Sequence, residues 1–109
     1  MEKILLQNIK TFLSSAELVY QSKDYTSATI LYFKAFFCLL DYLLYKKLGR
    51  TPKDHTERFR LLELHYPSYY VILDKYFRVY RDTYSLTIEK EKCDEVRIHV
   101  CDVAKQQGI

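Results

Sequence analysis

The chain has 109 residues, 49% of them hydrophobic, with only two glycines, two prolines and a formal net charge of +3. That length fits one domain, residues 1–109, with a core of its own, and excludes two. So few turn formers exclude a sheet with many hairpins and favour helices joined by short connections. Three cysteines, Cys38, Cys93 and Cys101, are odd in number and show no C-x-x-C spacing, so neither a disulfide framework nor a zinc site is indicated. They read as free thiols in a reducing compartment.

Residues 2–21 place Leu5, Ile9, Phe12, Leu13, Ala16, Val19 and Tyr20 on one face of a helix, with Lys3, Gln7, Lys10, Ser14, Glu17 and Gln21 opposite. Glu2 and Lys3 open this amphipathic segment, which is not the pattern of a signal peptide. Ser22 and Lys23 leave little room before Asp24, a fitting N-cap for the next helix, so the two helices are expected as antiparallel neighbours.

The second helix, over residues 24–49, is the most apolar part of the chain. Ser27, Lys34 and Asp41 recur every seven positions as one narrow polar stripe, and nearly all the rest is hydrophobic. An ordinary surface helix buries a single stripe of roughly 100°. This one must be covered on two sides, by its own bundle and by a second chain, for which Phe33, Phe37 and Leu40 are the candidate contacts. Its longest uncharged run, between Lys34 and Asp41, falls far short of the roughly 20 residues that span a bilayer. A soluble, cytoplasmic protein without membrane contact is expected.

Gly49 can end that helix in the left-handed conformation, and Pro52 prevents its continuation. Asp54 and Glu57 have the spacing of a capping box and open a short helix from about His55 to Leu64. Pro67 suits the first turn of a fourth helix, in which Tyr69, Ile72, Leu73, Tyr76, Phe77, Tyr80 and Tyr84 keep the helical period. Ser85 or Thr87 can cap the last helix, with Cys93, Val96, Val100, Cys101, Val103 and Ala104 as its buried stripe. The fold class that follows is all-α, an antiparallel up-and-down bundle of four to five helices.

Arg78 and Arg81 are three apart and share a helix face, where together they can grip a phosphate or a partner's carboxylate; Asp74 and Asp82 are the residues that would instead pair with them. Lys46, Lys47, Arg50, Lys53, Arg58 and Arg60 form a basic stretch that can attract phosphate or complement a helix C-terminus. His55, His65 and His99 lack the spacing of metal ligands, and no Gly-rich phosphate loop or Gly-x-Ser-x-Gly turn occurs. Neither a metal nor a cofactor is expected.

Asp24-Tyr25, Ala28, Tyr32, Ala35-Phe36 and Leu39 on a long helix, then Leu48-Gly49, Pro52 and His55 opening a short one, then Arg81-Asp82-x-Tyr84, together resemble the HEPN (higher eukaryotes and prokaryotes nucleotide-binding) family over nearly the whole chain. The resemblance implies a bundle of four or five helices that pairs as a homodimer, often encoded beside a minimal nucleotidyltransferase in toxin–antitoxin-like systems. Catalytic members are metal-independent ribonucleases with Arg, four to six intervening residues and His near the start of the last helix. The corresponding positions here hold Leu86, Thr87 and Ile88 after Arg81, and Thr83, Tyr84 and Ser85 after Arg78. Arg58 and Arg60 stand at permitted spacings before His65, but on the short third helix.

The expected function is therefore a non-catalytic HEPN-like subunit that binds a nucleotidyltransferase, a nucleotide or RNA, with Arg78, Arg81, Tyr84, Lys53 and His55 as the nucleotide- or anion-binding set. One alternative is a ribonuclease toxin with Tyr84 or His65 as an unusual base. Another is a tetratricopeptide-like scaffold, which Ala16, Tyr20, Asp24-Tyr25, Ala28, Tyr32 and Ala35 also resemble, although no copy recurs at the thirty-four-residue period.

Overall fold

A computed structural model describes residues 1–109 and contains five helices and no strand: α1 (Glu2–Gln21), α2 (Tyr25–Leu48), α3 (His55–His65), α4 (Pro67–Asp82) and α5 (Lys90–Gln106). The all-helical bundle expected from the sequence is the fold of the chain. Local chemistry sets most of the boundaries. The Asp24 carboxylate accepts from the Ser27 N–H at 3.0 Å, and Asp54 does the same for Glu57 at 2.8 Å, so α2 and α3 both begin on aspartate caps. Glu57 completes the first turn of α3 by accepting from the Lys53 N–H rather than from Asp54 itself. Gly49 ends α2 at φ 79°, and Pro67 occupies the first turn of α4. At α5 the cap falls later than Ser85 or Thr87: Glu89 precedes the first helical residue and supplies no side-chain cap. Thr26 instead holds this connection, its hydroxyl accepting from the Ile88 N–H at 2.8 Å.

Side-chain pairings fix the directions. Glu17 meets Tyr32 and Tyr20 meets Tyr25, so α1 and α2 are antiparallel. Tyr76 lies against His99 and Tyr69 bonds Gln106, so α4 and α5 are antiparallel as well. Between α2 and α3 the alternation is interrupted. Phe37 packs on His55 and Asp41 on Arg58, which makes these two helices run the same way. Residues 49–54 carry the chain back along α2 before α3 begins, and Pro52 within them is buried.

α2 is the central helix. Twelve of its residues are buried, with α1, α5, α3 and α4 all packed against it. By length and composition it is apolar enough to cross a membrane, but 67% of that stretch is buried inside the chain's own bundle, as befits a core helix. Phe33, Phe37 and Leu40, expected at an interface with a second chain, lie in the protomer's own core at 1%, 8% and 0% exposure. The physical reason is the returning α3–α4 pair: Phe77 and Tyr80 of α4 and His55 of α3 close over Phe33 and Phe37. These three side chains of α2 are thus covered within one chain.

Candidate anion-binding site

The residues proposed from the sequence fall into two groups. Arg78 and Arg81, one turn apart on the outer face of α4, line an open depression of about 550 Å³ with Asp82 and Ser85. Both arginines are exposed. Six ion pairs form within the chain, and neither arginine takes part in any of them. Asp74 and Asp82, the neighbours able to neutralise them, stay out of salt-bridge reach. Two guanidinium groups therefore stand side by side with their donors free for an external anion.

His55 belongs to a second group, where the start of α3 meets α2 and α4, and Tyr84, exposed in the turn after α4, reaches it only through Tyr80. The Tyr84 hydroxyl meets that of Tyr80 at 3.1 Å, with the rings edge to face at 5.7 Å. Tyr84's bond and partial burial push the Tyr80 phenol up to about 12. His55 sits against Phe37, Phe77 and Tyr80 at ring distances of 4.8, 5.3 and 6.0 Å. Lys53 joins neither group: it is exposed, and its backbone N–H serves Glu57.

Arg58 organises this second group. Its Nε and Nη2 donate to the two oxygens of Asp41 at 2.7 and 2.8 Å, and its Nη1 lies 2.6 Å from His55 Nδ1. Arginine can only donate, so Nδ1 is the acceptor and the proton of this neutral imidazole sits on Nε2. The residue as a whole is exposed, but the packing of its ring against Phe37, Phe77 and Tyr80 partly desolvates it, and this, followed by the Arg58 charge, lowers the His55 pKa. A ring whose lone pair is already taken and whose other nitrogen carries the proton cannot serve as a general base without first releasing Arg58. Asp41 carried the signal that could have revealed this cluster, because a carboxylate on so apolar a helix needs a cationic partner.

A third polar group, unforeseen in the sequence, ties α1, α2 and α5 together. Arg97 donates to both Glu17 oxygens at 3.0 and 2.9 Å and to the Tyr32 hydroxyl at 3.1 Å, while its guanidinium lies 4.4 Å from the Tyr20 ring centre. Tyr20 in turn donates to Asp94. The bond from Arg97 holds the Glu17 carboxyl below its ordinary range. Each of these side chains is engaged by another within the chain, so the group ties the three helices together.

No three side chains among His, Cys, Asp and Glu converge as a metal site would require. The three cysteines are free, and burial raises each thiol. No family model, no curated protein and no solved structure matches the chain.

Proposed function

We propose that this chain is a non-catalytic, HEPN-like binding subunit of the cytoplasm, which offers the Arg78–Arg81 edge to nucleotide or RNA phosphates or to an acidic surface on a nucleotidyltransferase partner in a toxin–antitoxin-like system. The observation that supports this most is that both arginines are exposed, adjacent and unpaired in a chain that pairs Arg50, Arg58, Arg60 and Arg97 internally. The non-catalytic part draws on the missing histidine after Arg78 and Arg81 and on the engagement of His55 Nδ1 by Arg58. Acid–base cleavage of RNA without a positioned imidazole forgoes a factor on the order of 10² to 10⁴.

Calorimetric titration with ATP, with a short single-stranded RNA and with a co-purifying nucleotidyltransferase tests the binding. Each charge-assisted contact removed is expected to weaken affinity roughly tenfold, so Arg78→Ala with Arg81→Ala should lose binding while staying folded. Unchanged affinity in that double variant would assign the arginines to the surface alone. Metal-free RNA cleavage by the wild type, abolished by Arg81→Ala, would replace the binding role with the ribonuclease alternative.

A further inference from the structure

We infer that the Arg78–Arg81 depression recognises an oligophosphate chain and is blind to the base attached to it. The inference rests on the proposed function and specifies its ligand. All four lining residues, Arg78, Arg81, Asp82 and Ser85, are polar, and no ring or aliphatic side chain lines the depression. Base recognition relies on stacking platforms or on hydrogen-bond groups held against the base edge. Tyr84, the ring nearest in sequence, is exposed but does not line the depression; it meets Tyr80 edge to face, with the two hydroxyls bonded.

The two guanidinium forks match phosphate oxygens, and each bidentate contact with phosphate is charge-assisted. A phosphate chain that occupies both forks leaves Ser85 and Asp82 as the remaining polar groups. Ser85, exposed and on the turn after α4, can donate its hydroxyl to a phosphate oxygen. Asp82 works against the ligand. Its carboxylate lines the same depression without an ion-pair partner, so it repels a bound anion and limits affinity. The depression, at about 550 Å³, falls within the size of small-molecule sites, roughly 300–1,000 Å³, and has room for several linked phosphates. Affinity should then rise with the number of phosphates, whatever they are attached to.

The test is calorimetry in metal-free buffer with ATP, GTP, CTP, AMP, inorganic phosphate and inorganic triphosphate. The three nucleoside triphosphates and inorganic triphosphate should agree within about threefold, with AMP and phosphate at least about tenfold weaker, since each lost phosphate removes charge facing the two arginines. Asp82→Asn should tighten triphosphate at least about twofold, and Arg78→Ala with Arg81→Ala should abolish its binding. Replacing Lys46, Lys47 and Lys53 together with alanine should leave triphosphate binding in place. ATP or GTP binding tenfold or more tighter than triphosphate would overturn base-blindness while leaving the proposed function intact. Binding lost in the lysine variant but kept in the arginine variant would move the ligand to the end of α2 and overturn the assignment. If none of these ligands, no RNA and no partner bound the folded wild type, the proposed function itself would fall.

Discussion

His55 shows how much of the residue-scale chemistry depends on contacts far apart in sequence. Its folded pKa lies below the ordinary value of 6.5 because of the partial desolvation of its ring and then Arg58. Below about pH 6.5 the unfolded chain therefore binds a proton at this ring that the folded chain refuses, and stability falls with pH until the folded ring itself titrates. The wild type should lose more stability between pH 7.5 and pH 5 than His55→Gln does, and the His55 ring should titrate below 6.5 by NMR. An equal loss in both proteins, or a midpoint at or above 6.5, would contradict the Arg58 contact. Asp41 tests the same cluster from the other side. It pairs with Arg58 at 15% and 11% side-chain exposure, and Asp41→Ala should cost roughly 2–3 kcal/mol in urea unfolding because it strands a shielded guanidinium. The exposed Arg50, paired with Glu57 at 53% exposure, should matter by less than about 1 kcal/mol when replaced by alanine. The Arg78–Arg81 pair could be read from the sequence because two residues one turn apart must share a helix face. For the Asp41–Arg58–His55 cluster the sequence offered only Asp41's need for a cation and not the identity of the partner, because nothing local says which turn of α2 will meet α3.

At the scale of elements, apolar period and capping chemistry carried most of the information, since aspartate caps, a C-terminal glycine and an N-terminal proline act within one turn. α5 escaped this logic: its connection is held by the Thr26 hydroxyl, sixty-two positions away from Ile88. The reversal between α2 and α3 escaped it too, because Gly49 and Pro52 end a helix without fixing where the chain goes next. Two terminal residues in the left-handed region give a paired prediction. Gly49 has φ 79°, and a Cβ built there meets nothing within 4 Å, so Gly49→Ala should cost about 1 kcal/mol from backbone strain alone. Lys23, after α1, has φ 66° with a side chain that bears the same strain. Lys23→Gly should therefore stabilise the fold by roughly 0.5–1 kcal/mol. Thermal unfolding of the two variants measures both signs, and a destabilised Lys23→Gly would show that the strain there is already relieved.

For the whole molecule, the excess of apolar surface on α2 had two solutions, a second chain or a fuller bundle, and composition alone does not distinguish them. Phe33 and Phe37 are covered within the chain, where α3 and α4 fold back over them. That cover is thinner than the rest of the core. α3 buries only Leu61 and Leu62, and α4 only Leu73 and Tyr76, whereas α2 buries twelve residues and α5 five. α1 is tied to α2 and α5 by the Glu17–Tyr32–Arg97 bonds as well as by packing. Regions with few buried apolar contacts open at a lower free energy than the global transition, and α3, at eleven residues, is shorter than the roughly 12–15 that an isolated helix needs even to be marginal. Native-state hydrogen exchange should therefore find the α3 amides opening before those of α2 and α5, with Phe37→Ala, by cutting a ring from beneath α3, lowering global stability by about 3–5 kcal/mol. Equal protection of α3 and α2 would mean that the bundle opens only as a unit. A Phe37→Ala protein of undiminished stability but altered sedimentation would return that ring to an interface between chains.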